Sequence, residues 1–130
     1  MLIPMVQGGH TSGGFVVATG GSIVSAGGYR IHTFNASGSF VPSVAGGVEY
    51  LIIGGGASGG GHHGGGGGAG GYLTATGLTV TAATYTVTVG AGGAAILATN
   101  ADGNDGVDSV LSGTGITTIT AGGGGAGSNN

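Results

Sequence analysis

The 130-residue chain contains 37 glycines and no cysteine, and only 4% of its residues are charged. Arg30 is the single Lys or Arg residue, so the chain lacks the cations that neutralise nucleic-acid phosphates or attract a protein to an anionic membrane. The absence of cysteine excludes disulfides and thiolate metal sites, and the length fits one domain.

Short stretches of alternating apolar and polar side chains predict β-strands along the chain. Residues 1–11 match no pattern and are set apart as an unassigned N-terminal segment, which leaves residues 12–130 as a single glycine-rich β domain. No stretch shows helical periodicity over ten residues, and β-branched side chains dominate. Further short strands are expected within 15–18, 22–24, 39–41, 107–111 and 116–120. The sequence therefore predicts an all-β, sandwich-like fold.

The strands at 29–34 and 48–53 carry the charges of the predicted sheets. Residues 29–34 place Tyr29 and Ile31 on one face and Arg30 and His32 on the other. Residues 48–53 are apolar on both faces except for Glu49, which is typical of a central strand. Because a buried charge is costly without a partner, we expect Arg30 to form an ion pair with Glu49. If these two strands pair, one register sets the two side chains close together.

Residues 78–89 show the clearest alternation in the chain. If Ala82 and Ala83 form a two-residue turn, the flanking strands pair as a hairpin with one apolar face and one threonine face. Alanine is unusual in such turns, so a longer connection is the alternative. The predicted threonine face consists of Thr79, Thr81, Thr84, Thr86 and Thr88.

Three glycine runs, at 54–71, 90–93 and 122–127, each begin where a predicted strand ends. Ordering glycine costs more backbone entropy than ordering any other residue, so an ordered run must hydrogen-bond its backbone extensively. Extended helices with three residues per turn, packed side by side, meet this requirement. The sequence thus predicts packed polyglycine II helices; a flexible linker is the alternative.

Four blocks occur in a recognisable order: YRIHTF at 29–34, VEYLIIGGG at 48–56, GGGAGGY at 66–72 and YTVTVGAGG at 85–93. They resemble the glycine-rich domain of bacteriophage tail fibres and related virion proteins, over about residues 12 to 127. The resemblance implies a phage structural or host-recognition protein located in the virion, with polyglycine II helices beside β-strands. It implies no catalytic residues.

Few residues in the chain suggest chemistry. His62 and His63 are adjacent within the longest glycine run, but neighbouring side chains of an extended chain point apart and no third ligand is near, so no metal site is expected. Residues 102–108 have the look of a calcium loop but fail the EF-hand template, and we expect an Asx-rich turn there. No nucleophile motif or phosphate-binding loop is present. Neither a cofactor nor enzymatic activity is expected.

Two functions remain. In the first, the chain is a virion structural protein, in a tail fibre or a head-surface decoration, that displays His62, His63 and Tyr72 to a host-surface glycan or protein. In the second, it is a self-assembling extracellular scaffold or an ice- or surface-binding protein that uses the threonine face. In either case, the large apolar residues on both faces of the strands and the low charge predict a homo-oligomer. The resemblance favours a trimer and implies other virion proteins as further partners.

Overall fold

The computed structural model describes residues 4–7 and 16–129 and is all-β. Residues 1–3, 8–15 and 130, which include most of the unassigned segment and both ends of the predicted domain, lie outside the described residues. No helix in the described part of the chain is long and apolar enough to span a membrane. The strands are β1 (Pro4–Gln7), β2 (Ala18–Thr19), β3 (Ser22–Ala26), β4 (Tyr29–Thr33), β5 (Gly38–Pro42), β6 (Gly46–Ile53), β7 (Tyr72–Val80), β8 (Tyr85–Thr88), β9 (Ser109–Gly113) and β10 (Ile119–Ala121).

The strands form two five-stranded antiparallel sheets. The first has the order β3-β4-β1-β6-β7 and the second the order β10-β9-β8-β5-β2. Strand β1, from the segment that the sequence left unassigned, lies in the middle of the first sheet, with Val6 opposite both Ile31 of β4 and Glu49 of β6. As predicted, β6 is an interior strand, since β1 and β7 flank it.

The two sheets pack face to face around one hydrophobic core, which confirms the sandwich-like fold. The strongest alternation lies in β8, where Tyr85 and Val87 are buried while Thr86 and Thr88 are exposed. Because both sheets contribute to a single cluster, the core lies between them. Its buried members are Val16, Ala18, Phe34, Phe40, Val48, Ile52, Val80, Tyr85, Val87, Leu111 and Ala121.

The hairpin predicted across Ala82 and Ala83 is wrong. Strand β7 pairs with β6 in the first sheet, whereas β8 pairs with β5 and β9 in the second, so residues 81–84 carry the chain from one sheet to the other. The Tyr85 hydroxyl accepts a hydrogen bond from the Thr81 backbone N–H at 2.8 Å and fixes this crossing. An apolar face is compatible with either sheet of a sandwich, so alternation alone does not decide the pairing.

The ion pair predicted between Arg30 and Glu49 is also wrong, because β1 separates β4 from β6 and the strands that carry these residues do not pair. Arg30 lies opposite Gln7 of β1, and no ion pair joins Arg30 to Glu49 in the described part of the chain. The alternation within β4 is correct, but its inward face carries His32, which is buried, and the half-buried Arg30. Tyr29 on the other face is exposed.

Five glycine-rich segments continue directly from strands of the sandwich. We call them g1 (54–61, after β6), g2 (65–71, before β7), g3 (90–94, near the end of β8), g4 (101–108, before β9) and g5 (122–129, after β10). Together they form the glycine layer. Because each segment extends a strand, the layer is an outgrowth of the sandwich at one end and not a linker.

Backbone hydrogen bonds join these segments and recur every three residues. In g1, the N–H groups of every third residue donate to carbonyls of g2 at 2.8–2.9 Å. The N–H group of the residue directly after each of these donors donates to a carbonyl of g4, also at 2.8–2.9 Å. A three-residue spacing of hydrogen bonds is also the repeat of a helix with three residues per turn, and the polyglycine II conformation of these segments stays a prediction. The g1–g2 bonds run from Gly54, Ala57 and Gly60 to Gly71, Gly68 and Gly65; the g1–g4 bonds run from Gly55, Ser58 and Gly61 to Val107, Asn104 and Ala101.

Glycine is required inside the layer because the backbones approach too closely for side chains. A Cβ atom on Gly106 would overlap the carbonyl oxygen of Gly55, and one on Gly124 would overlap that of Gly68. By contrast, a Cβ atom on Gly66 or Gly125 would meet nothing within 4 Å. The layer therefore has an interior in which only glycine fits and an outer surface with free space.

Candidate functional site

The end of the glycine layer farthest from the sandwich is formed by residues 61–64, 96–101 and 128–129, which we call the distal tip. The g1–g2 connection is a tight turn in which the Gly64 N–H donates to the Gly61 carbonyl at 2.9 Å. The Gly61 N–H donates to the Ala101 carbonyl, and the Gly65 N–H to the Ser128 carbonyl, both at 2.8 Å. These bonds hold three separate parts of the chain together at one end.

His62 and His63 occupy the centre of this turn, and both are exposed. Their rings meet edge to face, with centroids 4.5 Å apart. His62 has a φ of 56°, a left-handed conformation that is uncommon for residues other than glycine. Glycine would adopt this φ without steric cost, and it occupies the positions on both sides of the pair. The turn thus presents two imidazoles, one of which, that of His62, stands where glycine would fit more easily.

Tyr72 does not lie with the histidines. It is the first residue of β7, where g2 joins the sandwich, and its side chain is 64% exposed. The seven residues of g2 separate it from the distal tip by about 20 Å at the rise of a three-residue helix. The structure brings His62 and His63 together and places Tyr72 at the other end of the layer.

The distal tip also contains residues that sequence reasoning did not single out. Leu97 is 97% exposed, the largest exposure among the exposed large apolar side chains, and Ile96 beside it is half-buried close to Gly61. The signal available was an Ile-Leu pair isolated in a stretch of small residues, without the alternation of a strand. The tip therefore carries an exposed leucine and two exposed imidazoles, which supply an apolar surface and hydrogen-bonding groups.

The Asx-rich turn predicted at 102–108 is wrong, because none of these residues lies in a turn and their Asp side chains bond to another segment. Asp102, Asp105 and Asp108 lie three residues apart, and each carboxylate accepts a hydrogen bond from a backbone N–H of g5. The three donors are the N–H groups of Asn129 (2.6 Å), Ala126 (2.6 Å) and Gly123 (2.8 Å). These carboxylates form a ladder that fastens g5 to g4.

The remaining polar groups do not assemble a reactive site. The described residues contain no group of three or more His, Asp or Glu side chains placed to hold a metal ion. The predicted threonine face is split, because Thr79 belongs to β7 in the first sheet and Thr86 and Thr88 belong to β8 in the second. Exposed side chains on the two sheets of a sandwich point in opposite directions, so these threonines form no common plane.

The second candidate is a cleft of about 430 Å³ at the turn between β3 and β4. Val17, Ser25, Tyr29 and Arg30 contribute to its lining. The Arg30 Nε atom is buried and has no hydrogen-bond partner among residues 16–129. The cleft lies on the sandwich and is not continuous with the distal tip.

The comparisons with known proteins identify a family. The model of a glycine-rich domain family matches residues 33–130. The match begins at the last residue of β4 and includes the strands β5–β10 and the whole glycine layer. No curated protein and no solved structure matches the chain. Since the match covers about three quarters of the sequence, the chain belongs to the glycine-rich domain family.

Proposed function

We propose that the chain is a non-enzymatic structural protein of a bacteriophage virion that contributes to attachment to the host surface. It acts as part of a tail fibre or a head-surface decoration, as a homo-oligomer among other virion proteins. The resemblance of its ordered sequence blocks to virion proteins supports this setting. The distal tip is the part of the chain that contacts the host.

One observation carries the role of the tip. His62 holds a left-handed backbone conformation in a turn surrounded by glycines that would adopt it without strain. Strained positions concentrate where a side chain is needed for function. The exposed ring of His63 and the fully exposed Leu97 lie on the same end of the layer. A hydrogen-bonded layer that ends in exposed imidazole and apolar side chains suits contact with a glycan or protein on a cell surface.

The scaffold or ice-binding alternative depends on a flat row of threonines. Thr79 lies in a different sheet from Thr86 and Thr88, so the row is interrupted. No contact or exposed plane in the described residues favours this alternative over attachment.

The first experiment measures binding of the fluorescently labelled protein to host cells. We expect His62→Gly combined with Leu97→Ser to reduce binding at least tenfold, while the melting temperature is unchanged or higher, because glycine relieves the left-handed strain at position 62. Thr86→Ala, an exposed substitution on the sandwich, is the matched control and retains full binding. Unchanged binding by the tip variant would contradict the role of the tip.

The second experiment addresses the virion. Mass spectrometry of purified phage particles from the producing culture is expected to detect the protein in stoichiometric amounts. Its presence in the culture medium and absence from particles would contradict the virion assignment. Tyr72→Ser, tested in the same binding assay, determines whether attachment extends to the base of the layer.

A further inference from the structure

The bonding of g1 shows that the glycine layer is incomplete on one side. A helix with three residues per turn directs its N–H groups in three directions and its carbonyls in three others, so it can have up to six neighbours. Segment g1 is bonded to all four other segments: it donates to g2 and g4, and its carbonyls accept from g3 and g5. Among the described residues, 4–7 and 16–129, two directions therefore have no hydrogen-bonded neighbour.

The unused groups of g1 occur in rows. The N–H groups of Gly56 and Gly59 donate to no acceptor in residues 16–129. The carbonyls of Ala57 and Gly60 accept no hydrogen bond there either, and the Ala57 oxygen lies close to the Gly67 backbone of g2. Gly56 is exposed, and a Cβ atom on it would approach only the Gly68 carbonyl oxygen, at 3.8 Å. We call this side of g1 the open side. Its rows repeat every three residues, about 9 Å along the helix.

The spacing and the lack of side chains define what can bind there. An occupant must bring backbone carbonyls to N–H groups that repeat about every 9 Å, so it needs the same three-residue period and small residues. Segment g2 of another copy meets both requirements, since it is glycine at every position except Ala69. Within residues 16–129, g2 is bonded only to g1 and g5, and most of its residues are exposed.

Charge also permits this contact. Neither g1 nor g2 contains an Asp, Glu, Lys or Arg residue. The carboxylates of Asp102, Asp105 and Asp108 bond to g5, the segment that lies on the other side of g1 from its unused groups. Two copies can therefore approach through g1 and g2 without repulsion between carboxylates.

We propose that a second copy of the chain binds along the open side, with g2 of one copy hydrogen-bonded to g1 of the next. This contact joins two different surfaces, so it links copies head to tail and can close into a ring. The inference does not depend on host attachment, because it concerns only the association of the chain with itself.

Sedimentation velocity between 1 and 100 µM tests the proposal with three alanine variants of the full chain. Gly56→Ala places a methyl group on the open side, and Gly66→Ala places one on the outer side of g2, where it meets nothing in the monomer. Both are expected to weaken association at least tenfold. Gly125→Ala, with equally free space on g5, is the matched control and is expected to associate like the wild type.

Mixing the first two variants gives a sharper result. Gly56→Ala retains an intact g2 and Gly66→Ala retains an intact g1, so the mixture is expected to form pairs although neither variant does so alone. Hydrogen exchange at the Gly56 and Gly59 amides is expected to slow with increasing wild-type concentration, which tests the contact without any substitution. A wild-type monomer at 100 µM, association of Gly56→Ala equal to that of the wild type, or amide exchange independent of concentration would overturn the proposal.

Discussion

His32 is the buried residue of this protein with the most unusual polar environment. Its side chain is 1% exposed on the inward face of β4, and its ring lies edge to face with that of Phe40, with centroids 5.1 Å apart. Its Nδ1 atom is 2.8 Å from the Gly20 carbonyl oxygen and must therefore be the donor. Its Nε2 atom is buried with no hydrogen-bond partner among the described residues, so a proton there would lack an acceptor.

This environment predicts acid sensitivity. Burial lowers the pKa of His32, the hydrogen bond to Gly20 opposes this effect, and the charge of Arg30 lowers the pKa further. The His32 imidazole of the unfolded chain therefore binds a proton more readily than that of the folded chain. The contribution of neutral His32 to the free energy of unfolding is fully present above about pH 6.5, the ordinary pKa of histidine. Below that pH the contribution is lost progressively down to the folded-state pKa, by at most about 1.4 kcal/mol per pH unit.

Urea unfolding between pH 4.5 and 8 measures the effect. The variant His32→Asn places an amide donor near the Nδ1 position but does not titrate in this range. We expect the variant to be less stable at pH 8, because it leaves a cavity, and to have a shallower dependence on pH than the wild type. Parallel pH profiles for the two proteins would show that another group causes the acid sensitivity.

At the scale of elements, the aspartate ladder connects g4 to g5. Asp105→Ala leaves the Ala126 N–H without its acceptor, and because this carboxylate is exposed, water partly replaces it. The expected loss is about 1 kcal/mol, measured by thermal unfolding. Asp105→Asn keeps an oxygen acceptor and is expected to lose less. Equal losses for the two variants would mean that charge, and not the hydrogen bond, is the stabilising factor.

The interior and the surface of the glycine layer predict opposite responses to the same substitution. Gly106→Ala introduces a methyl group that overlaps the Gly55 carbonyl, and we expect destabilisation of about 3 kcal/mol through overpacking. Gly125→Ala has free space and removes glycine's extra freedom in the unfolded state, so it is expected to be neutral or to stabilise by about 0.5 kcal/mol. Chemical denaturation of both variants provides the comparison. Similar stabilities would contradict the close packing of g4 against g1.

The sequence predicts these elements to different extents. The apolar pattern identifies both β8 and the interior strand β6. In β8 every second side chain is apolar, and in β6 both faces are mainly apolar. It does not identify the partner of a strand, and so the pairing across Ala82 and the neighbours of β4 were predicted wrongly. Partner choice depends on contacts between strands distant in sequence, such as β1 with β4 and β6, which no local pattern records.

The same distinction applies to the candidate site. The histidine pair is visible in the sequence because it interrupts a glycine run, whereas Leu97 becomes part of the tip only when 96–101 folds beside 61–64. The ladder had a signal that was misinterpreted: Asp102, Asp105 and Asp108 repeat every three residues, the period of the glycine segments. The segment was compared with the EF-hand calcium loop, whose ligands are spaced differently, and the three-residue spacing of the aspartates was therefore not recognised.

At the scale of the whole molecule, the glycine layer and the sandwich are expected to unfold together. Each glycine segment continues a strand, and Gly90 at the junction donates a hydrogen bond from its N–H to the buried Ser109 hydroxyl at 2.9 Å. Calorimetry is expected to show one transition, with equal calorimetric and van't Hoff enthalpies. Two transitions, one of which alone shifts in Gly106→Ala, would show that the layer and the sandwich are separate cooperative units.

The continuity of strands and glycine segments also has a mechanical consequence. The hydrogen bonds between segments, like those between strands, lie across the direction of the chains. Tension applied between the distal tip and the sandwich would act along the chains and load many of these bonds in shear at once, instead of opening them one after another. A particle tethered through the tip would therefore resist drag in the direction of pulling, and the layer would yield at much lower force if peeled sideways from g2, its exposed edge.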